Sequence, residues 1–392
     1  MRQRQVPAVF MRGGTSKAIV FHEKDLPLDR GLWPELFVAA IGANDPNGRQ
    51  LNGMGGGISS LSKVCVIGPP SRPDADIDYT FFQLAPKNAS VDLSGNCGNM
   101  SSAMGPFAID EGLVKGNGNL AEVNIHNTNT GKIIRARFAI DEDQAAVDGD
   151  FILPGVAGSG SPVSLDFLAP GGSKTGKLLP TGNPVDLLLV EGVGSIEASM
   201  VDAANPCVFI RAEDVGVTGL EAPDALEADI GFLERMEAVR RTASVAMGIS
   251  QDLMQAAEIP SIPKVCVLSA ARDQNLLTGE RMAADQVDII ARMISIGQPH
   301  RAIPLTGALC LAVGTQLGGS IPHALCRSGR AQVRIGQPSG LTVVEAKMST
   351  VDGVLHAESA SVVRTQRRLF SGYVYVPART TPNLDQLTFA AE

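Results

Sequence analysis

The sequence predicts an α+β protein of two pseudo-symmetric domains, each wrapping strands around one central buried helix, with a ligand cleft between them. Three observations predict it. The first is an internal repeat: Ser62-Lys-Val-Cys-Val-Ile67 returns as Pro263-Lys-Val-Cys-Val-Leu268, Asp76-Ile-Asp-Tyr-Thr80 as Gln286-Val-Asp-Ile-Ile290, and Ala121-Glu-Val-Asn-Ile125 as Ala331-Gln-Val-Arg-Ile335. The separations are 201, 210 and 210 residues, a near-constant register that marks a duplicated domain. Second, two glycine-initiated apolar segments, 98–113 and 307–317, hold equivalent places in the two halves. Third, most other apolar runs are short and bounded by Gly, Pro or Asn, which is the punctuation of strands.

In chain order, strands are expected at 8–11 and 18–21, a helix at 31–42, and a strand at 63–67. Residues 76–86 carry Tyr79, Thr80, Phe81 and Phe82, which favour a strand over a helix. Their repeat partner, 286–296, ambiguous by pattern alone, is assigned the same way. Strands follow at 122–127 and 132–139, and the Gly/Pro/Ser-rich 154–184 reads as irregular. Residues 1–185 then form the first domain and 186–392 the second, whose last strands are free to complete the first. The second half opens with a strand at 207–210. A helix follows at 225–248, with Ile230, Leu233, Met236 and Val239 at helical spacing. Strands at 264–268, 331–336, 341–347 and 369–376 complete it.

Composition narrows the function. Hydrophobic residues make up 44% and charged residues 19% of the chain, an ordinary globular profile, and the net charge of −8 without any basic run argues against nucleic acid as a partner. Six cysteines are too sparse for a disulfide scaffold, and Met1–Pro7 lacks an apolar leader, so a reducing, cytoplasmic setting is expected. No Asp, Glu, Lys or Arg lies between Arg301 and Arg327, a stretch long enough to span a bilayer. Pro304, Thr306, Gln316, Pro322, His323 and four glycines interrupt it, so it reads as a buried helix and no membrane partner is expected. A homodimer is the default assembly by base rate.

Two glycine motifs carry no nucleotide chemistry. Gly171-Gly-Ser-Lys-Thr-Gly-Lys177 has phosphate-loop spacing, but Leu178 stands where a Ser or Thr meets magnesium, and no clear strand precedes it. Gly53-Met-Gly-Gly-Gly57 lacks the dinucleotide fingerprint. The five histidines (His22, His126, His300, His323, His356) are scattered and no CxxC pair exists, so neither a metal nor another cofactor is expected.

The chemistry concentrates at Asp92-Leu-Ser-Gly-Asn-Cys-Gly-Asn-Met100, which leads into the first apolar segment. A cysteine at a helix N-terminus sits in the positive end of the dipole beside unpaired N–H groups, an environment that favours thiolate. The same N–H groups suit a carboxylate or a developing enolate oxygen. A structural cysteine in a glycine turn is the other reading, and it suits Cys65, Cys266, Cys310 and Cys326.

Asn96-Cys-Gly-Asn99 at this place in a duplicated α+β chain resembles the diaminopimelate epimerase fold. Five motifs resemble the branch of that superfamily containing 2-methylaconitate cis–trans isomerase, 4-oxalomesaconate tautomerase and methylitaconate isomerase (PrpF-like). They are Phe10-Met-Arg-Gly-Gly-Thr-Ser-Lys17, Gly53-Met-Gly-Gly-Gly57, Ser59-Ser-Leu-Ser-Lys-Val64, Ser94-Gly-Asn-Cys-Gly-Asn99 and Gly176-Lys-Leu-Leu-Pro-Thr-Gly-Asn183. The resemblance runs in order over most of the chain. It implies a cofactor-independent isomerase or tautomerase acting on unsaturated di- or tricarboxylates in the interdomain cleft. An epimerase of this fold uses one cysteine per half, whereas here the second position falls near Pro304, with Cys310 deeper in the helix. In the resembling branch a first-half lysine is the partner, and it maps to Lys63.

Lys63 and Cys97 are therefore the expected catalytic pair, Lys63 as base and Cys97 as acid or polariser. A lysine is a base at neutral pH only where burial or neighbouring positive charge lowers its pKa from about 10.4. An outward strand lysine is the alternative, and its repeat partner Lys264 can be a vestige of duplication. Substrate binding is assigned to Arg12, Gly14, Thr15, Ser16 and Lys17 as a carboxylate anchor, to Asn96, Gly98 and Asn99 at the first helix end, and to His300, Arg301, Thr306 and Gly307 at the second. The expected partner is a small polycarboxylate. Two rivals stand: an amino-acid epimerase of the same fold, and a non-catalytic carboxylate-binding protein accessory to an aconitase-type dehydratase.

Overall fold

The duplication is written into the strand order. The computed structural model describes residues 3–327, 331–351 and 353–386. In the first half the antiparallel hairpin Gln3–Gly13 and Ser16–His22 is followed by Lys63–Gly68, which pairs parallel to the second hairpin strand. Ile77–Leu84 runs antiparallel to it, Leu120–Asn127 parallel to that, and Lys132–Asp141 antiparallel again. The second half repeats every step: Gly194–Ala203 and Asn205–Arg211 as the hairpin, then Lys264–Ala270, Ile289–Ser295, Gln332–Gln337 and Gly340–Val351 in the same alternation. Val163–Leu168 lies between Lys132–Asp141 and Val354–Arg364, joining the halves into one 19-stranded mixed sheet. The last strand, Gln366–Pro377, returns to pair with Gln3–Gly13.

Each half curls around one helix. Gly98–Asp110 and Leu305–Thr315 are buried on almost every face, as suits helices built mostly of small and apolar residues with no charged face. Their side chains share one core cluster with the inward residues of both sheets. The outer faces carry separate cores: Trp33–Ile41 covers the first half, packing Phe37 against Phe21 and Phe82, and Ile230–Ala246 covers the second. No helix among the described residues is long and apolar enough to cross a membrane, and the charge-free 302–326 segment divides into Leu305–Thr315 and Ile321–Leu325.

Several expected elements are corrected. The helix at 225–248 is two helices, because the Asp229 carboxylate accepts from Phe232 N and starts a new one at Ile230. Residues 284–286 form a short 3-10 turn and only 289–295 a strand. Strands at Val163–Leu168, Asp186–Val190, Gly194–Ala203 and Val354–Arg364 were not foreseen. The last two, rich in Ala, Ser and Glu, are weak strand formers taken up by pairing on both edges.

The phosphate-loop lookalike does follow a strand, contrary to the sequence reading, yet its nest is filled from within. The Asp202 carboxylate accepts from Ser173 Oγ at 2.5 Å, Lys174 N at 2.8 Å, Thr175 N at 2.7 Å and Thr175 Oγ1 at 2.9 Å. A buried side-chain carboxylate thus occupies the place a phosphate takes in a nucleotide-binding loop.

Candidate active site

Two helix N-termini meet at the cleft. Cys97 is the N-cap of Gly98–Asp110 and Pro304 the N-cap of Leu305–Thr315, and neither helix has a side-chain cap, so their first N–H groups are left for a ligand. A Cβ on Gly98 would lie 2.4 Å from Leu305 Cδ2, so this close approach of the helices requires glycine there. Between them opens a cavity of about 330 Å³ lined by residues of both halves.

Lys63 opens its strand and reaches the cavity, 7% exposed. Its Nζ donates to Gln83 Oε1 on the neighbouring strand and stands 5.0 Å from the centre of the Phe81 ring. Gln83 is fixed in turn by donating to the Ser59 and Ser62 carbonyls at 3.0 and 3.1 Å. Cys97, 9% exposed, lines the same cavity. Cys65, Cys266 and Cys310 are fully buried, and burial pushes their thiols well up, as suits core cysteines.

From the second half come Lys264, His300, Arg301 and Thr306. Lys264 donates to Ser261 O at 3.2 Å and meets Ser295 Oγ at 3.1 Å. Burial is the main cause holding its amine below the ordinary lysine range, and Lys63 adds to it. His300 is buried with Nε2 unpartnered, and desolvation together with Lys264 and Lys63 brings it down to about 3, so it is neutral at physiological pH. Arg301 sits exposed at the rim in an ion pair with Asp224. Asp92 and Glu227 are the carboxylates on the lining among the described residues.

The residues assigned to the carboxylate anchor fall into two groups. Thr15, Ser16, Asn96, Gly98 and Asn99 line the cavity, whereas Arg12, Gly14, Lys17 and Gly307 do not. The cause is the two-residue period of strands. Ser16, Ala18 and Val20 face the central helix, so Lys17 faces outward and its Nζ lies over the Phe10 ring at 5.6 Å. Arg12 lines a separate cavity of about 260 Å³ with Arg367 and is held by the Thr365 and Gly14 carbonyls at 3.0 Å. Gly14, in left-handed backbone at φ 50°, backs onto Asn99, whose Oδ1 a Cβ would meet at 2.2 Å. Asn99 Nδ2 donates to Thr15 Oγ1 at 3.0 Å, tying hairpin to helix. Gly307 packs against Met293 instead.

Sequence reasoning did not single out Gln83, Asp92, Ser261, Ser295 or Lys264 as lining the cavity. Asn205, which opens the second strand of the second-half hairpin, has both amide atoms buried and, among the described residues, unpartnered, with Oδ1 beside the Gly95 turn. The repeat pairing Lys63 with Lys264 was the available signal. Among the described residues no cluster of three or more His, Cys, Asp or Glu side chains is arranged to hold a metal.

Comparison with known proteins gives the family and the fold. The family model described as PrpF protein matches residues 3–377. The chain is 38% identical to 3-methylitaconate isomerase of Eubacterium barkeri, covering 95% of this chain and 98% of that one. It is 36% identical to 2-methyl-aconitate isomerase of Cupriavidus necator (96% and 98%) and 35% identical to 4-oxalomesaconate tautomerase of Pseudomonas putida (96% and 97%). The crystal structure of a methylitaconate-delta-isomerase superposes with a TM-score of 0.77 at 37% identity, covering 97% of this chain and 98% of that one. A hydroxyproline epimerase from Agrobacterium vitis, at 14% identity and TM-score 0.54 over 95% and 93% of the two chains, shares the fold alone. The duplicated sheet, the paired helix ends and these matches over nearly the whole length place the chain in the PrpF family.

Proposed function

We propose that the chain is a cofactor-independent isomerase moving a proton between allylic carbons of an unsaturated di- or tricarboxylate, with Lys63 as the base and Cys97 as the acid or the polariser beside the reacting carbon. Family membership sets the class, an isomerase. The relatives named above are called after unsaturated polycarboxylates, and the same substrate class is proposed here. The observation that carries the reading is the lining of the cavity: two uncapped helix N-termini, Lys63, Lys264 and a neutral His300 converge on it. Such a site attracts several carboxylates and stabilises an anion that develops during reaction.

A C–H next to a conjugated C=C–COO⁻ or keto group is acidic because its anion delocalises as a dienolate. Lys63 takes that proton, and the Gly98 and Asn99 N–H groups hold the oxygen where charge accumulates. A proton returns at the allylic carbon, which shifts the double bond; rotation in the dienolate exchanges cis and trans. Cys97, at the same helix end, is the acid or the polariser beside the reacting carbon. Thr15, Ser16 and His300 hydrogen-bond the carboxylates. The six cysteines, none in a disulfide, fit a reducing cytoplasm as the place of action.

The test is proton NMR of the protein in D₂O with a panel of unsaturated di- and tricarboxylates, beside Lys63→Ala and Cys97→Ala. Deuterium entering an allylic position with formation of an isomer, lost in both variants, is the expected result. Near-wild-type turnover in both variants would overturn the pair. Exchange at the α-carbon of amino acids with inversion would favour the epimerase instead.

A further inference from the structure

An epimerase of this fold needs a proton-transfer group from each half. The second half of this chain has no thiol at the matching helix cap, where Pro304 stands. What the duplication keeps in both halves is the lysine that opens the third strand of each: Lys63 in the first, Lys264 in the second. We propose that Lys264 is the second half's proton-transfer residue, so that one lysine per half does here what one cysteine per half does in the epimerases; this rests on the isomerase reading above.

Four observations support it. Lys264 is 9% exposed, yet it lines the same cavity as Lys63 and Cys97. Among the described residues no carboxylate accepts from its Nζ; its partners are a carbonyl, Ser261 O, and a hydroxyl, Ser295 Oγ. A lysine placed only for structure in such a buried position requires an anionic partner, because an unpaired buried charge is costly. Each lysine also has a polar partner on the neighbouring strand, Gln83 for Lys63 and Ser295 for Lys264, so the arrangement repeats and not only the residue. Finally, the charged and titratable groups facing Lys264 are Cys207, Lys63, Cys97, Asp92 and His300, contributed by five different segments. Burial, helped by Lys63, outweighs Cys207, Cys97 and Asp92 and lowers its pKa. A lysine lowered in this way is a better proton donor as ammonium and more available as a base when neutral.

The step balances. In one direction Lys63 takes the allylic proton, the C–H electron pair enters the dienolate, and the Lys264 ammonium gives a proton to the far carbon. Lys264 is left as a neutral amine, Lys63 as an ammonium, and the net charge is unchanged. In the reverse direction neutral Lys264 takes the proton and Lys63 returns it. Exchange with solvent between turnovers restores either starting form. Cys97 then polarises the reacting carbon and transfers no proton.

The experiment compares wild type, Lys264→Met, Lys264→Arg and Lys264→Ala on an unsaturated polycarboxylate that the wild type isomerises, with circular dichroism to confirm folding. The expected result is a fall in kcat of about 10²–10⁴-fold in both Met and Arg variants, with KM changed far less. Propylamine is expected to restore part of kcat to Lys264→Ala. Retention of kcat by Lys264→Arg, or a loss confined to KM in Lys264→Met, overturns the proposal and leaves Lys264 as a carboxylate anchor. Competitive acetylation of the substrate-free protein across pH, read by peptide mass, gives a second measure. Lys264 is expected to react as a free amine at lower pH than surface lysines, and failure to do so also overturns the proposal. If the wild type isomerises nothing on the panel, the isomerase reading fails, and the acetylation profile still decides whether Lys264 is a low-pKa amine.

Discussion

The two helix ends that meet at the cleft are built by the same strand order, yet they differ in what they present. The first offers a cysteine between two asparagines, with Gly98 allowing close approach; the second offers Pro304, then Leu305 and Thr306. Behind each stands a buried lysine. The two halves thus share the backbone scaffold and the lysine, while the thiol at the helix cap stands in the first half only. The difference teaches that symmetry of fold here supports asymmetric chemistry. A racemase must treat two faces of one carbon alike, whereas an allylic shift removes a proton from one carbon and returns it to another, so its two half-sites need not match.

The comparison is most sharply tested at the lysine–cysteine pair. Lys63→Ala and Cys97→Ala are each expected to lower kcat by about 10²–10⁴-fold, measured by NMR turnover of a proven substrate. Equal activity after either change would mean that the first helix end is not the reacting side.

A smaller effect is expected along the hairpin that feeds the first end. Ser16→Ala removes a hydroxyl lining the cavity and should cost about 10–100-fold in kcat/KM if that hydroxyl bonds a substrate carboxylate. Lys17→Met, one residue on but facing outward over Phe10, should stay within about 3-fold. A reversed order would mean that the strand carries its anchor on the opposite face.

His300 belongs to the second end, and its neutrality sets a pH dependence. Its pKa is about 3 folded and about 6.5 unfolded, so the unfolded chain binds the proton first and stability is lost as pH falls from 6.5 towards 3. Between pH 7 and pH 4.5 wild type should therefore lose about 2–3 kcal/mol more than His300→Gln, read from urea midpoints at the two pH values. Parallel losses would place an acceptor near His300 that keeps it charged.

At the junction between the halves, Asp202→Ala leaves the donors of Ser173, Lys174 and Thr175 without their carboxylate. A stability loss of about 1–3 kcal/mol is expected in thermal unfolding. An increase in stability would show that the nest is better filled by water than by the chain.

Sequence alone determined that the chain is duplicated, that strands surround two buried helices, and that Cys97 heads the first of them. A near-constant repeat register and a mostly apolar helix are local facts that survive any tertiary arrangement. Sequence also paired Lys63 with Lys264 by position, although it could not tell an outward strand lysine from an inward one. Tertiary structure decided that, because the strand period fixes which alternate residues face the cavity only once the register to the neighbouring strand is set: Lys63 opposite Gln83 inward, Lys17 outward, Arg12 behind the hairpin in another cavity. The weak strands 194–203 and 354–364 were invisible for a related reason, since long-range pairing rather than their own residues holds them extended. The lowered pKa values of Lys264 and His300 likewise come chiefly from burial, with Lys63 adding to both and Lys264 adding to that of His300, groups that only the fold brings together.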